Sequence, residues 1–236
     1  MKLQDLKTKK FVSIIMPCLN EEDSVGVCVK TAIAALKKEK LAGEVIVADN
    51  GSSDNSSKVA TKAGAKVIEV KKRGYGEAYL GGIKAAIGDY LILGDSDASY
   101  NFGQIPKFIK KLDRGADFVI GSRLKGKIEA GAMPVLHRFL GVPLLTFLVN
   151  LFFGTKISDA HCGLRAIRKE ALKKLNLAST GMEFASEMII SAAHNKLKIS
   201  EIPISYHKRH GYSKLNPLTD TLRHLNLIFA SFFRKN

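Results

Sequence analysis

Residues 90–100 read YLILGDSDASY, an apolar run that ends in a glycine and two aspartates, Asp95 and Asp97. A run this short and continuous is the pattern of a strand buried on both faces, as in a parallel sheet covered by helices. Four other runs have the same form: FVSIIM (11–16), EVIVAD (44–49), AKVIEV (65–70) and DFVIGS (117–122). Helical patterns separate them. Val25, Val29, Ile33 and Leu36 recur at helical spacing within 22–38. Ser52, Ser53 and Asp54 offer N-capping side chains for a helix over 55–64 closed by Gly64, and 76–87 reads as another closed by Gly88. Strand and helix in alternation predict an α/β sheet with right-handed crossovers. Ligands of such sheets bind beyond the carboxyl ends of the strands.

Three polar clusters fall at that edge: PCLNEED (17–23), DNGSSD (49–54) and GDSDASY (94–100). Asp95 and Asp97 are two residues apart, and on extended backbone that spacing points both carboxylates the same way. Such a pair can hold a hard divalent cation, Mg2+ or Mn2+, with a diphosphate completing the shell; a solvated acidic turn is the plainer alternative. A dinucleotide site is excluded. PCLNEED has no glycine, and Gly74-Tyr75-Gly76 is followed by Tyr79 where the third glycine of that fingerprint belongs. There is no P-loop lysine motif either.

The chain of 236 residues carries 37 Lys+Arg against 22 Asp+Glu, a net charge of +15. Residues 1–120 account for +4 and residues 121–236 for +11, so the second half is expected to face something anionic, nucleic acid or phospholipid. Basic residues without interleaved aromatic platforms argue against nucleic acid. Cys18, Cys28 and Cys162 lack paired metal-ligand spacing, which favours a reducing, cytoplasmic setting. The basic N-terminus running into FVSIIMPCL imitates a signal peptide but meets NEED at once, and reads as a first strand. No segment reaches the roughly 20 apolar residues needed to span a bilayer. The nearest, 139–154, is interrupted by Pro143 and Asn150, and reads equally as a buried helix pair or as a segment dipping into a membrane interface. Beyond it lie ISDAHCGLRAI (157–167), helices near 169–176 and 183–194, a strand ISEIPISY (199–206) and an amphipathic helix over 217–233.

In this order and at these spacings SIIMPCLNEED, VIVADNGSSD, KKRGYGEAYLGG, GDSDASY, GSR and DAHCGLRAI resemble the inverting glycosyltransferases of family 2, which have the GT-A fold. IEAGAMPVLHRFLG and ISYHKRHGYSKL resemble the branch that glycosylates polyprenyl phosphates, the dolichyl-phosphate mannose and glucose synthases. The resemblance implies a nucleotide-sugar half over 1–124 and an acceptor half over 125–215 with interface helices about 133–154. A C-terminal amphipathic helix over 216–236 completes the chain. Pro17, Asn20, Glu21 and Asp49 would frame base and ribose, with Arg73 near the donor. Asp95 and Asp97 would bind the metal, and Ser99 stands where some relatives have a further ligand. Arg123, Arg138 and Lys214 would meet the lipid phosphate, joined by Arg209 from the loop of Lys214. Asp159 and Arg165 would brace the site. Glu183 and Glu187, one helical turn apart, would orient the acceptor-site arginines or simply face solvent.

The implied reaction moves a hexose, with inversion, from a nucleotide sugar to a polyprenyl phosphate, dolichyl or undecaprenyl. The look of DNGSSD leans toward uridine over guanosine diphosphate. The enzyme would sit peripherally on the cytoplasmic membrane face, with its oligomeric state left open. A family member acting on a soluble or glycan acceptor is one rival, and a basic protein that binds nucleic acid or membrane without catalysis is another.

Overall fold

Each of the apolar runs forms a strand, and helices fill the intervals. The computed structural model describes residues 10–211 and 216–234. In chain order the first half holds β1 (Val12–Cys18), α1 (Val25–Lys38), β2 (Gly43–Asp49), α2 (Ser56–Lys62), β3 (Lys66–Glu69), α3 (Tyr75–Ala85), β4 (Tyr90–Leu93) and α4 (Ile105–Asp113). The second half holds β5 (Phe118–Ile128), α5 (Val142–Phe153), β6 (Arg165–Arg168), α6 (Lys169–Leu172), α7 (Phe184–His194), β7 (Ile199–Tyr206) and α8 (Pro217–Phe233).

The strands make one sheet in the order β3-β2-β1-β4-β6-β5-β7. β1 to β4 run parallel, β6 is antiparallel to both β4 and β5, and β7 pairs parallel with β5. Ile14 of β1 sits between Val45 of β2 and Ile92 of β4, which explains why its neighbourhood is wholly apolar. Val12, Ile14, Ile15 and Met16 have no exposed surface.

Several boundaries differ from the sequence reading, each for a local reason. α3 stops at Ala85 rather than 87, and Gly88 is not its cap. A Cβ at Gly88 would lie 2.5 Å from the Ser13 backbone nitrogen, and the Gly88 N–H donates to the Ser13 hydroxyl. At α2 the capping oxygen is that of Asp54, which accepts from the Ser56 N–H, while Ser52 bonds instead to Asp49 and to the Asn20 N–H. α6 is a single turn rather than a helix over 169–176. β5 continues to Ile128, with a register irregularity against β7 between Ser122 and Lys127. α4 and β6 had no counterpart among the strands and helices read from the sequence.

The 139–154 segment is one helix entered through a π-turn rather than a buried helix pair. Residues 137–141 form a π-turn that leads directly into α5. Pro143 accounts for the turn: it has no N–H to give, and its ring would strike the carbonyl four residues back in a regular helix. Asn150, which breaks the apolar run, ties down the following loop by donating to the Ile157 carbonyl and accepting from the Ile157 N–H and Thr155 hydroxyl. α5 buries Leu145, Thr146 and Val149 and packs Phe152 on Phe229 and Phe232 of α8. Its other side, with the residues before it, exposes Val135, Leu136, Phe139, Leu140, Leu144, Phe147 and Leu151, and α8 exposes Leu218, Leu222, Phe229 and Phe233. Among the described residues no helix is long and apolar enough to cross a membrane.

Candidate active site

The carboxyl ends of β1, β2 and β4 open onto a cavity of about 450 Å³, within the range of small-ligand sites. Pro17, Glu21, Asn50, Asp95 and Asp97 line the sheet side. Across from them stand His137, Val142 and Leu145 of the π-turn and α5, and Met182 and Ala185 at the start of α7. Thr221, Arg223 and His224 of α8 complete that side.

The sheet wall is held by hydrogen bonds within and between its loops. Asn20, in a left-handed backbone conformation at φ 53°, accepts from the Ser53 N–H. Asp49 does not line the cavity. It turns into its own loop, where Oδ1 accepts from the Ser52 N–H and hydroxyl and Oδ2 from the Ser57 hydroxyl. Burial pushes its carboxyl up, but these bonds outweigh burial and hold it below its ordinary range. Asn50 takes the place on the wall that the sequence reading gave to Asp49. Its amide donates to the Val70 and Lys72 carbonyls and accepts from the Gly74 N–H, fastening the strap that carries Arg73. Arg73 reaches the cavity by lying over Gly51, where a Cβ would stand 3.1 Å from its guanidinium carbon.

Gly74-Tyr75-Gly76 is a packing device. The Thr180 carbonyl would lie 2.2 Å from a Cβ at Gly74, and it accepts from the Gly76 N–H.

Asp95 and Asp97 lie beyond the end of β4, on a bend that includes Ala98 at φ 63°, rather than on extended backbone. Both nevertheless line the cavity. Asp95 Oδ1 accepts from the hydroxyls of Tyr75 and Tyr79 at 2.9 and 3.1 Å. Burial, and then the charge of Asp97, push its carboxyl up to about 6, against the pull of those hydroxyls and of Arg209. Asp97 Oδ1 accepts from the Ser99 N–H and hydroxyl, and its Oδ2 pairs with Arg209 at 2.8 Å. Ser99 is thus a buried support for Asp97 and does not line the cavity. A half-buried and a buried carboxylate that repel each other beside one guanidinium are a fitting donor set for a hard divalent cation. Among the described residues no third His, Cys, Asp or Glu joins them, so the remaining oxygens of such a shell would come from ligand and water.

Arg123 is 8% exposed and lines the cavity. Asp159 grips it through Nε and Nη2 at 2.7 and 2.8 Å, which leaves Nη1 outside the pair, and the Tyr206 ring lies 5.2 Å beneath the cation. Burial would raise the Asp159 carboxyl, but the charge and bonds of Arg123 hold it low. Arg165 donates to the carbonyls of Cys162, Ala185 and Ala160, bracing three turns at once.

One expected acceptor residue is placed differently. Arg138 is exposed, its guanidinium 5.2 Å over the Phe139 ring, and His137 lines the cavity instead. In a regular helix Arg138, seven residues before Leu145, would share its face, because seven residues make about two turns. The π-turn takes up one residue more and brings His137 into line with Leu145. Lys214 lies outside the described residues. Glu187 accepts from the N–H groups of Ala178 and Ser179, and Glu183 from that of Gly181, so both fasten the 178–181 loop. The cation near Glu183 is Arg223, at 4.0 Å.

Sequence reasoning missed a polar cluster on the helical side. His161 Nε2 lies 3.1 Å from the Ser186 hydroxyl, which lies 2.8 Å from Nδ1 of His224, and the two rings meet edge to face at 4.5 Å. Burial drives His161 well below the ordinary histidine range and His224 down to about 4. His161 sits inside the quoted motif DAHCGLRAI, whereas His224 had no signal beyond a place on the inner stripe of an amphipathic helix.

The seven-stranded sheet, with a carboxylate-lined cavity at the carboxyl ends of its strands, defines an α/β protein of the ligand-binding kind, and comparison with known proteins places it. The family model for glycosyl transferase family 2 matches residues 13–176. A low-salt glycan biosynthesis hexosyltransferase, Agl6 of Haloferax volcanii, is 43% identical over 221 residues, 93% of this chain and 53% of that protein. The chain therefore spans about half the length of that relative. A dolichyl-phosphate hexose transferase of the same organism is 31% identical over 207 residues, 87% of each chain. The chain belongs to glycosyltransferase family 2. Its fold is GT-A: glucosyl-3-phosphoglycerate synthase from Mycobacterium tuberculosis superposes with a TM-score of 0.75 at 21% identity, covering 94% of this chain and 80% of that one.

Proposed function

We propose that the chain transfers one hexose from a nucleoside-diphosphate sugar to a polyprenyl phosphate at the cytoplasmic face of a membrane, with inversion. The observation that carries this reading is the cavity itself. One wall holds the paired carboxylates of Asp95 and Asp97, and the other is the inner side of two helices whose outer sides expose apolar residues. A donor with a charged diphosphate and an acceptor with a hydrocarbon tail need those two walls respectively. The names of the Haloferax relatives support hexose as the group moved and a polyprenyl-type acceptor. Three buried free cysteines suit a reducing compartment. Uridine over guanosine rests on the DNGSSD turn alone.

In this reading Asp95 and Asp97 hold Mg2+ or Mn2+, which when bound supplies positive charge toward the leaving diphosphate. Arg209, paired with Asp97, adds charge on the same side, and Arg73 approaches from the strap. Arg123 meets the acceptor phosphate with the edge that Asp159 leaves free, already desolvated and fixed in orientation. A phosphate is anionic at neutral pH and attacks without help from a strong general base. Residues 1–124 would serve the donor apart from Arg123, 125–215 the acceptor apart from Arg209, and 216–236 the membrane.

The test is a panel of radiolabelled nucleotide sugars offered with a short polyprenyl phosphate and scored for product in the organic phase. Organic-phase product from one nucleotide hexose is the expected result; transfer only to water-soluble acceptors, or none, would overturn the reading.

A further inference from the structure

Among the described residues two buried side-chain polar atoms have no hydrogen-bond partner, His161 Nδ1 and Glu183 Oε2. They belong to one end of the cavity. His161 lines it, and Glu183, not itself a lining residue, lies directly behind the lining residue Gly181, where a Cβ would come 2.5 Å from its Oε2. Arg223 is 4.0 Å from Glu183 Oε2, too far for a hydrogen bond. A buried polar atom left unmatched is costly, so a ligand that matches both atoms gains on binding.

The chemistry of that ligand follows from proton counting. Ser186 has one hydroxyl hydrogen to share between two imidazoles. If it donates to His224 Nδ1, then His161 Nε2–H donates to Ser186 and His161 Nδ1 is a bare acceptor. If it donates to His161 Nε2, then His161 Nδ1 carries the hydrogen and is a donor. Both rings are neutral near pH 7, since burial depresses each. An ionised Glu183 can only accept. A hydroxyl meets every one of these demands, because it donates to the carboxylate and serves the imidazole in either role. A phosphate oxygen meets neither need at Glu183, which would also repel its charge; the cavity offers phosphates Arg73, Arg123 and Arg209 instead.

Access depends on Arg223. A Cβ on Gly181 would lie 2.4 Å from Arg223 Nη1 and 2.5 Å from Glu183 Oε2, so the guanidinium lies across this corner. Its side chain is 57% exposed, so an outward rotamer that uncovers the carboxylate gives up little buried contact.

We propose that this corner binds hydroxyls of the hexose being transferred, so that His161 and Glu183 select the sugar and Ser186 and His224 position His161. The inference rests on the function proposed above and deepens it. Three variants of the full chain test it. His161→Gln keeps a group near Nε2 and loses Nδ1, His161→Asn does the reverse, and Glu183→Gln removes the charged acceptor. Binding of UDP, UDP-glucose and the deoxyglucose analogues of UDP-glucose is measured by calorimetry with Mn2+, and melting temperature reports folding. The expected result is a loss of about tenfold, the size of one hydrogen bond, for UDP-glucose with His161→Gln and Glu183→Gln. UDP binding stays within about twofold, and His161→Asn stays near the wild type. One deoxy analogue should bind the wild type as weakly as UDP-glucose binds the variant. Equal losses for UDP and UDP-glucose, no loss in either, or matching behaviour of the Gln and Asn variants would overturn the proposal. A wild-type chain that transfers no hexose from any nucleotide sugar would bring down the functional reading and this inference together, whereas hexose selection untouched by these variants sinks this inference alone.

Discussion

On the sheet wall of the cavity the paired carboxylates are supplied with donors before any ligand arrives, Asp95 by Tyr75 and Tyr79 and Asp97 by Ser99 and Arg209, and behind the wall Asp49 is held in the same way by Ser52 and Ser57. Across the gap the helical wall leaves His161 Nδ1 and Glu183 Oε2 unmatched and turns Phe139, Phe147 and Leu222 to the outside. In the proposed reading the sheet wall is preorganised for a constant task, holding cation and diphosphate. The helical wall is unfinished on both sides, and what it binds would complete it.

Breaking the sheet wall should have the largest effect. Asp95→Asn with Asp97→Asn is expected to lower hexose transfer on the order of a thousandfold. Asp95→Asn alone should hold or raise the melting temperature, because it relieves the repulsion from Asp97, whereas Asp97→Asn should lower it by leaving Arg209 without its partner; turnover and thermal unfolding of the same preparations check both halves. A stability test comes next. Asp159→Ala strands a buried guanidinium, and a loss of about 3–5 kcal/mol is expected in urea unfolding. Replacing Arg123 and Asp159 together by Met and Leu should cost far less, separating the pair's geometry from its charge.

The helical wall should respond to acid. In the folded chain His224 stays neutral down to about 4 and His161 lies well below its ordinary range, whereas in the unfolded chain each imidazole takes a proton near 6.5. Their contribution to stability is therefore complete above pH 6.5 and is lost as pH falls toward 4, by on the order of 1 kcal/mol per pH unit for each histidine. Unfolding followed across that range, with His224→Phe as the comparison, should show a flatter slope in the variant. The smallest effect on stability is expected outside: Phe139→Ser, Phe147→Ser and Leu222→Ser should each change it by no more than about 0.5 kcal/mol. The three together should still abolish co-sedimentation with anionic liposomes.

What the sequence revealed divides along the same line. Tyr90–Leu93 and its companion runs are apolar because they are buried on both faces, so composition alone marks them. β6 escaped because RAIR has an arginine at each end. Those charges have internal partners: Arg165 reaches three carbonyls, and Arg168 donates to the carbonyls of Ala116 and Leu112 at the end of α4. The spacing of Asp95 and Asp97 led to the right wall although the backbone there is bent, because a turn can converge two side chains as well as a strand can. Arg138 and His137 could not be told apart, since their phase depends on a π-turn set by Pro143. His224 was invisible because only the fold brings α8 to the cavity.

The place of β6 also bears on how the chain is made. β4 has β1 on one side, but its other edge waits for Arg165–Arg168, which are synthesised only after β5, the π-turn and α5 have left the ribosome. Until then Tyr90–Leu93, the most apolar strand of the sheet, stands with a row of unpaired N–H and C=O groups, the ordinary template for aggregation. A fragment ending near residue 124 would keep that open edge permanently. The first half of the chain thus depends on the second to cover that edge, and the two are to be expressed and engineered as a single piece.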